Sequence, residues 1–289
     1  MEYPSYTYPV VSLHTGSSLG NLLTFARLSA GTDLQDLWSS LDDEFYDGEW
    51  RIEFLIDGTI LEPSETLFRP ESQETMFRGN GTAAGITIGK RFFLPFPGDR
   101  RSRVPPSSLQ AAIFLISFAS DAREIRQVVI RHTLSFPARS TALFTKQPPE
   151  HQASKRVEIR RRERAFEVLT AGKPNEARLV GSSLTPQKHA ATDESLTMEY
   201  ELPLHPGKTA EASFILAYST EGVEAARDTY LRCRNVRALL EESVAGYSAL
   251  LSTSEILTPE PVINRGLRWA KINSVRVQHR YRTGEAFTN

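Results

Sequence analysis

From Leu19 to Ser219 the apolar positions of this chain come in short alternating sets broken by Gly and Pro, the period-two pattern of half-buried strands. Trp50, Ile52 and Phe54 fall on one face with Arg51 and Glu53 on the other, and Asp57-Gly58 then supplies the positive-φ positions of a tight hairpin turn. The same period recurs at Val128, Ile130, His132, Leu134 and Phe136, at Val157 and Ile159, at Phe166 and Val168, and at Met198, Tyr200 and Leu202. Ile113-Phe114-Leu115-Ile116 is instead a continuous apolar run, suited to a strand covered on both faces. Pro206-Gly207 predicts a turn before a strand over Ala212–Tyr218. Strands at this spacing, with no helical period between them, predict a large antiparallel β-sandwich over residues 1–220.

From Glu221 the step changes to three or four. Val223, Ala226, Tyr230, Cys233, Val236, Leu240, Val244, Tyr247 and Leu251 predict one amphipathic helix over 222–251. Thr258-Pro259-Glu260 reads as the start of a second, over 259–281, with a capping hydroxyl, Pro at the first helical position and a carboxylate near the positive end of the dipole. Its seam is Ile263, Leu267, Ala270, Ser274, Val277 and Tyr281, and Trp269 and Ile272 project to either side. That is more apolar surface than one neighbour covers, so self-association through this helix, or partial disorder of it, is expected. The expected fold is mainly β: a sandwich at 1–220, a linker helix within 221–257, and a further helix within 258–289. Phe96–Ser108 and Lys146–Lys155, rich in Pro and charge, read as exposed loops.

Composition narrows the function classes. Among 289 residues, 34 Lys+Arg stand against 35 Asp+Glu, a formal charge of -1 that excludes the basic excess of an ordinary nucleic-acid binder. Met1–Val11 lacks a basic and apolar leader pattern, and no apolar run reaches the roughly 18 residues of a membrane span, so a cytoplasmic location without membrane contact is expected. Cys233, the single cysteine, has no partner for an internal disulfide or a thiolate metal site.

Most candidate chemistry reduces to structure. Glu71 and Glu74, near Arg69 and Arg78, lie between Phe68 and Gly85 in what reads as a sandwich-edge loop, either within reach of a ligand or simply on the surface. Asp42-Asp43-Glu44 reads as a solvated acidic loop. No two of the six histidines lie within five residues of each other, so no histidine-rich zinc site is signalled, and His132, between Ile130 and Leu134, reads as a hydrogen-bonded core histidine. The glycines of Arg78–Gly85 precede a strand where the dinucleotide fingerprint needs a helix, which favours a hairpin at Asn80-Gly81. Arg160-Arg161-Arg162-Glu163-Arg164, able to attract phosphate but without interleaved aromatics, reads as a solvated hairpin tip.

Taken in order, Gly85-Ile86-Thr87-Ile88-Gly89-Lys90-Arg91-Phe92-Phe93-Leu94-Pro95, the strand within Ala111–Phe118, the Leu204–Lys208 turn before Phe214–Tyr218, the amphipathic stripe and Asn264-Arg265-Gly266-Leu267-Arg268-Trp269-Ala270-Lys271 resemble the N-terminal supersandwich, linker and first barrel helix of six-hairpin glycosidases. The closest resemblance is to the bacterial glycogen-debranching, amylo-α-1,6-glucosidase type. It implies a noncatalytic sandwich that packs against a helical catalytic domain, absent from this chain, and shapes its entrance. It also implies that the whole enzyme hydrolyses α-glucosidic bonds of a glucan or oligosaccharide with two carboxylates and no cofactor, and that the loop with Arg282, Glu285 and Phe287 approaches the sugar. The chain is then a fragment or a domain expressed alone, without turnover of its own. Two other classes are a self-contained sandwich enzyme such as a sugar epimerase, which needs two histidines and a glutamate in one cleft, and a carbohydrate-binding module stacking sugars on Trp38 or Trp50.

Overall fold

Alternating side chains of this kind bury one face each when two sheets are laid together. The computed structural model describes residues 3–39, 46–96, 109–136, 156–162, 164–281 and 284–287, with the backbone alone at 46–47, 281 and 284–287. The first sheet runs β1 (Tyr6–Pro9), β8 (Pro63–Phe68), β9 (Ser72–Arg78), β10 (Ile86–Phe93), β11 (Ala111–Ser120), β18 (Thr209–Ser219), β15 (Lys173–Ser182), β14 (Ala165–Thr170), β13 (Val157–Arg162). The second runs β16 (Lys188–Ala191), β17 (Ser195–Leu204), β12 (Arg126–Ser135), β6 (Trp50–Ile56), β4 (Leu34–Ser39), β3 (Thr24–Leu28), β2 (Ser18–Gly20), with β5 (Tyr46–Asp47) beside β4 and β7 (Thr59–Ile60) beside β6. Pairing within both is antiparallel, as the period predicts. The turn at Asp57-Gly58 has φ of 51° and 80°, the left-handed pair that a two-residue hairpin demands.

Between the sheets lies the main core. Trp50, Ile52, Phe54 and Ile56 of β6 and Val128, Ile130 and Leu134 of β12 meet Phe92, Phe114, Ile116, Phe118 and Phe214 of the first sheet. The two-faced run behaves as its composition requires: Phe114 and Ile116 point into this core, while Ile113 and Leu115 point out and join Phe93, Ile215 and Ala217 in a second cluster. Helices α1 (Val223–Arg232) and α2 (Val236–Ser252) cover that second cluster with Cys233, Val236 and Leu240. Helix α3 (Pro261–Arg276) packs Trp269, Ile272 and Val275 against Tyr247, Leu251 and Phe96. A short ribbon follows, β19 (Gln278–Tyr281) paired with β20 (Gly284–Phe287).

Four expectations change here. The single helix over 222–251 is two, because the chain leaves the helix at Cys233 and restarts at Asn235, whose side chain accepts from the Ala238 amide. The apolar stripe crosses that break undisturbed, which hid it from periodicity. Helix α3 begins at Pro261, two residues later than expected, since the Thr258 hydroxyl accepts from the Glu260 amide ahead of the helix, and it ends at Arg276 because residues 278–281 pair as a strand. Its packed face carries Ile272 and Val275, so Ile263 and Leu267 of the expected seam face outward, 50% and 39% exposed.

The fourth change is at Phe68–Gly85, which is largely strand β9. Of its inward residues Phe77 joins the main core, while Gln73 and Thr75 are polar and satisfied by polar neighbours. Gln73 donates to the Ser29 carbonyl and the Thr32 hydroxyl and accepts from Ser17, and the Thr75 hydroxyl meets those of Thr32 at 2.6 Å and Thr66 at 2.8 Å. A hydrophobic alternation cannot reveal a strand whose buried face carries one apolar side chain, Phe77, beside an amide and a hydroxyl. The expected loops at 97–108 and 146–155 and the acidic residues Asp42, Asp43 and Glu44 lie outside the described residues.

At Gly20 a Cβ would sit 1.9 Å from the Arg276 carbonyl oxygen, so the end of α3 rests directly on β2. Gly20→Ala is expected to destabilise the protein by about 1–3 kcal/mol and to raise hydrogen exchange throughout α3. Gly266, with nothing within 4 Å of its Cβ position, is the control, and Gly266→Ala should be neutral or stabilise by up to about 1 kcal/mol. Thermal unfolding and exchange read both; unchanged exchange in α3 of the first variant would disprove the close approach.

Candidate functional site

The carboxylates singled out from sequence are held in place by the β8–β9 hairpin. Arg69 and Ser72 bond each other's backbone across a tight turn that presents Pro70 and Glu71. Glu71 is buried: Oε2 accepts from the Tyr3 hydroxyl at 2.8 Å and Oε1 from the Ser72 hydroxyl at 2.8 Å. Burial pushes the Tyr3 phenol far up, and the neighbouring Glu71 adds to it, so Tyr3 stays a hydrogen-bond donor. Beside it the Arg276 guanidinium donates to the carbonyls of Arg69 at 2.8 Å and Pro70 at 2.9 Å. The turn is thus a clasp that holds residue 3 through Glu71 and the end of α3 through its carbonyls, so Glu71 is not a side chain waiting at a loop tip.

Glu74 sits opposite Arg91 in the β9–β10 ladder and takes bonds from Arg91 at 2.5 Å and Arg69 at 2.7 Å on the same oxygen. Burial alone would raise its carboxyl, but the two guanidinium groups outweigh it and hold the group below the ordinary carboxylate range. An ionised, doubly bridged carboxylate is a structural anchor with no proton to give. Of the remaining residues, Arg282 lies outside the described ones, and the β20 backbone places Glu285 opposite Arg280 and Phe287 opposite Gln278.

What the clasp creates is a groove that the sequence did not point to. Strand β1, the Leu13 to Ser18 segment, Phe68 and one side of α3 enclose about 490 Å³. Its wall is a run of rings: Tyr6 lies 5.3 Å from Trp269 and 6.4 Å from Tyr8, and Tyr8 is 6.2 Å from Phe68. Arg276 lies 5.5 Å from the Trp269 centroid, and Ser17, Ser18 and Asn273 add polar groups. Flat apolar faces edged by hydroxyls and an amide suit a ligand that has an apolar face and polar edges. The residues come from four separate parts of the chain, so no spacing in the sequence could announce them. Trp38 and Trp50, the platforms considered from sequence, are 8% and 1% exposed and serve the interior instead.

Among the described residues the histidines do not assemble a site. His132 accepts at Nδ1 from the Trp50 indole at 3.1 Å and packs on Phe214 at 4.0 Å, which makes it the hydrogen-bonded core histidine expected. His279 lies under Phe25 and Trp38, and His189 is on the edge strand β16. Among the described residues no group of three or more His, Cys, Asp or Glu could hold a metal ion, and no helix is long and apolar enough to cross a membrane.

No family model matches this chain, and no curated protein matches it. Among solved structures, a protein from the human microbiome provisionally named as a kojibiose phosphorylase matches with a TM-score of 0.63 at 14% identity, over 91% of this chain and 39% of that one. A family GH92 alpha-mannosidase from Bacteroides thetaiotaomicron matches with a TM-score of 0.45 at 10% identity, over 93% of this chain and 38% of that one. A galactose mutarotase related enzyme from Lactobacillus acidophilus gives 0.42 at 12% identity, over 71% and 98%. The first likeness establishes a shared fold. This chain spans well under half the length of the first structure, 39%.

The two buried histidines generate a pH dependence. Burial, helped by the nearby Lys90 charge, pushes His132 well below its ordinary value, and burial pushes His279 down to about 4. Both are neutral when folded and titrate near 6.5 when unfolded, so the stability they confer is complete above that value and is lost as pH falls from about 6.5 towards the folded values. Urea unfolding should show a loss of about 1 kcal/mol per histidine between pH 7.5 and 5.5. His279→Gln should roughly halve that slope whatever it costs at pH 7.5, and an unaltered slope would refute the assignment.

Proposed function

We propose that this chain is the noncatalytic N-terminal sandwich of a carbohydrate-active enzyme acting on α-glucosidic bonds, and that it packs against a helical catalytic domain of the same protein. The observation that carries this reading is the outward face of α3 and the segment before it. Ile256, Leu257, Val262 and Ile263 are 64%, 71%, 69% and 50% exposed, two pairs of apolar side chains at and just before the end of the helix far from its clasp. Such a patch is uncommon on a monomer. Neighbouring helices of a toroid would cover it, in the order of sandwich, linker and first barrel helix to which the sequence bears a resemblance. The shared fold with part of a provisionally named kojibiose phosphorylase is consistent with that order. Glycogen debranching is the finer form of the proposal, resting on sequence resemblance alone, and a cytoplasmic location goes with it.

A second reading, carbohydrate binding by the sandwich itself, is favoured by the ring-lined groove of Tyr6, Tyr8, Phe68 and Trp269. The two are compatible, since a sandwich that shapes an entrance can also hold a glucan there.

The chain should release neither glucose nor glucose 1-phosphate from maltooligosaccharides. Turnover that survives repurification and disappears on replacing one of its own carboxylates would overturn the noncatalytic reading in favour of a self-contained enzyme. The patch is tested by sedimentation: the chain should self-associate, and Val262→Glu with Ile263→Glu should make it monomeric without lowering its thermal midpoint. A monomer at every concentration would remove the support that the patch lends. Retardation in maltooligosaccharide-containing gels, weakened by Tyr8→Ala, is expected of the second reading, and equal mobility with and without the sugar would end it.

A further inference from the structure

On the outer face of the first sheet, beyond the groove and sharing no residue with it, the β13–β14 hairpin and helix α1 enclose a larger cleft of about 860 Å³. Five arginines line it, Arg161, Arg162 and Arg164 from the hairpin and Arg227 and Arg234 from the helical side. One carboxylate, Glu167, is among them. It is buried, and both its oxygens are taken, Oε2 by Arg162 Nε at 3.0 Å and Oε1 by Arg227 Nη2 at 2.7 Å. Burial alone would raise Glu167, but the two guanidinium groups prevail and hold it ionised below the ordinary range. It therefore acts as a brace that fixes one arginine from each wall. Arg227 also pairs with Glu224 on its own helix.

The other three arginines are left over. Arg161 has a marginal 3.5 Å contact with His189, and among the described residues no ion pair engages Arg164 or Arg234. Arg161 lies on the Phe166 side of β13, so among the described residues the other four arginines against Glu167 and Glu224 leave about +2 here, in a chain whose formal charge is -1. The floor is less polar: Leu179, Ile215 and the Tyr230 ring, which lies so close that a Cβ on Gly181 would sit 2.2 Å from its hydroxyl. Serines 182, 183 and 213 add hydroxyls at the sides. Every cation here is arginine, whose planar fork matches tetrahedral oxyanions two bonds at a time. The volume falls in the roughly 300–1,000 Å³ range of small-molecule sites, and a concave cleft of this size on a neutral protein does not suit an extended polyanion.

We propose that this cleft binds a phosphate oxyanion, as inorganic phosphate or as a phosphate monoester of a compact organic group such as a sugar, with Arg164 and Arg234 as its primary charge partners and the Glu167-braced Arg162 and Arg227 behind them. Among the described residues this arginine surplus is uncompensated, and a dinegative ligand supplies the missing charge.

Isothermal titration of the full chain with glucose 6-phosphate, inorganic phosphate and unphosphorylated glucose tests it. Saturable binding of a phosphate species, none of glucose, and weakening with salt are expected. Equal affinities would identify free phosphate as the ligand, and a tighter fit of the ester would identify the sugar phosphate. Arg164→Gln with Arg234→Gln, both at exposed positions, should weaken binding about tenfold or more while leaving the thermal midpoint unchanged. Absence of saturable binding by either phosphate species, equal affinity in the double variant, or binding of heparin that phosphate does not displace would each overturn the proposal.

Discussion

The architecture depends on one constraint: the middle strands of the first sheet are apolar on both faces. β11 alone sends Phe114, Ile116 and Phe118 inward and Ile113 and Leu115 outward, and β18 repeats this with Phe214 inward and Ile215 outward. A sheet of that kind cannot leave its outer face in water, so α1 and α2 must lie across it. Once α2 is there, Tyr247 and Leu251 give α3 a bed, and α3 in turn reaches Gly20 and the β8–β9 turn. Both cavities follow from this placement, because each is walled on one side by a helix that the outer face has drawn in.

A second layer of organisation is polar. Lys90 is 1% exposed and donates to Asp33 at 2.7 Å, while the Asp33 carboxylate also accepts from the Ile52 amide. Burial lowers the lysine's affinity for its proton and Asp33 restores part of it. Such a pair contributes little net stability against an apolar replacement, yet losing one partner strands the other, which favours a single pairing of the sheets. The Gln73, Thr32, Thr66 and Thr75 network does the same at the β8–β9 edge through hydrogen bonds alone.

Sequence periodicity located what depends on water and oil. The β6 and β12 ladders, the Asp57-Gly58 turn, the two-faced strand and the helical tail were all legible, since each is a local pattern with one physical cause. It failed where burial is polar, as in β9, and where an apolar stripe continues across a change of backbone, as at Cys233–Asn235. The site residues were harder still. Glu71 is defined by Tyr3 and by the neighbouring Arg276, separated from it in sequence by 68 and 205 positions, and the ring-lined groove joins residue 6 to residue 269. The arginine run at 160–164 was visible, but its surplus becomes evident only once Arg227 and Arg234 face it across a cleft.

The joining of the two ends has a consequence for biosynthesis. Tyr3 meets the clasp that holds Arg276, Gly20 lies under the Arg276 carbonyl, and the Leu22 carbonyl accepts from the Arg280 amide. A ribosome delivers the first of these partners long before the last. At about 5–20 residues per second the segment around residue 20 waits roughly 13–50 s for residues 276–280 to emerge. During that interval β2 is an open edge with no helix end to rest on. The contacts of residues 20–22 with residues 276–280 are therefore closed late, although β1 and β2 have by then met β8 and β3.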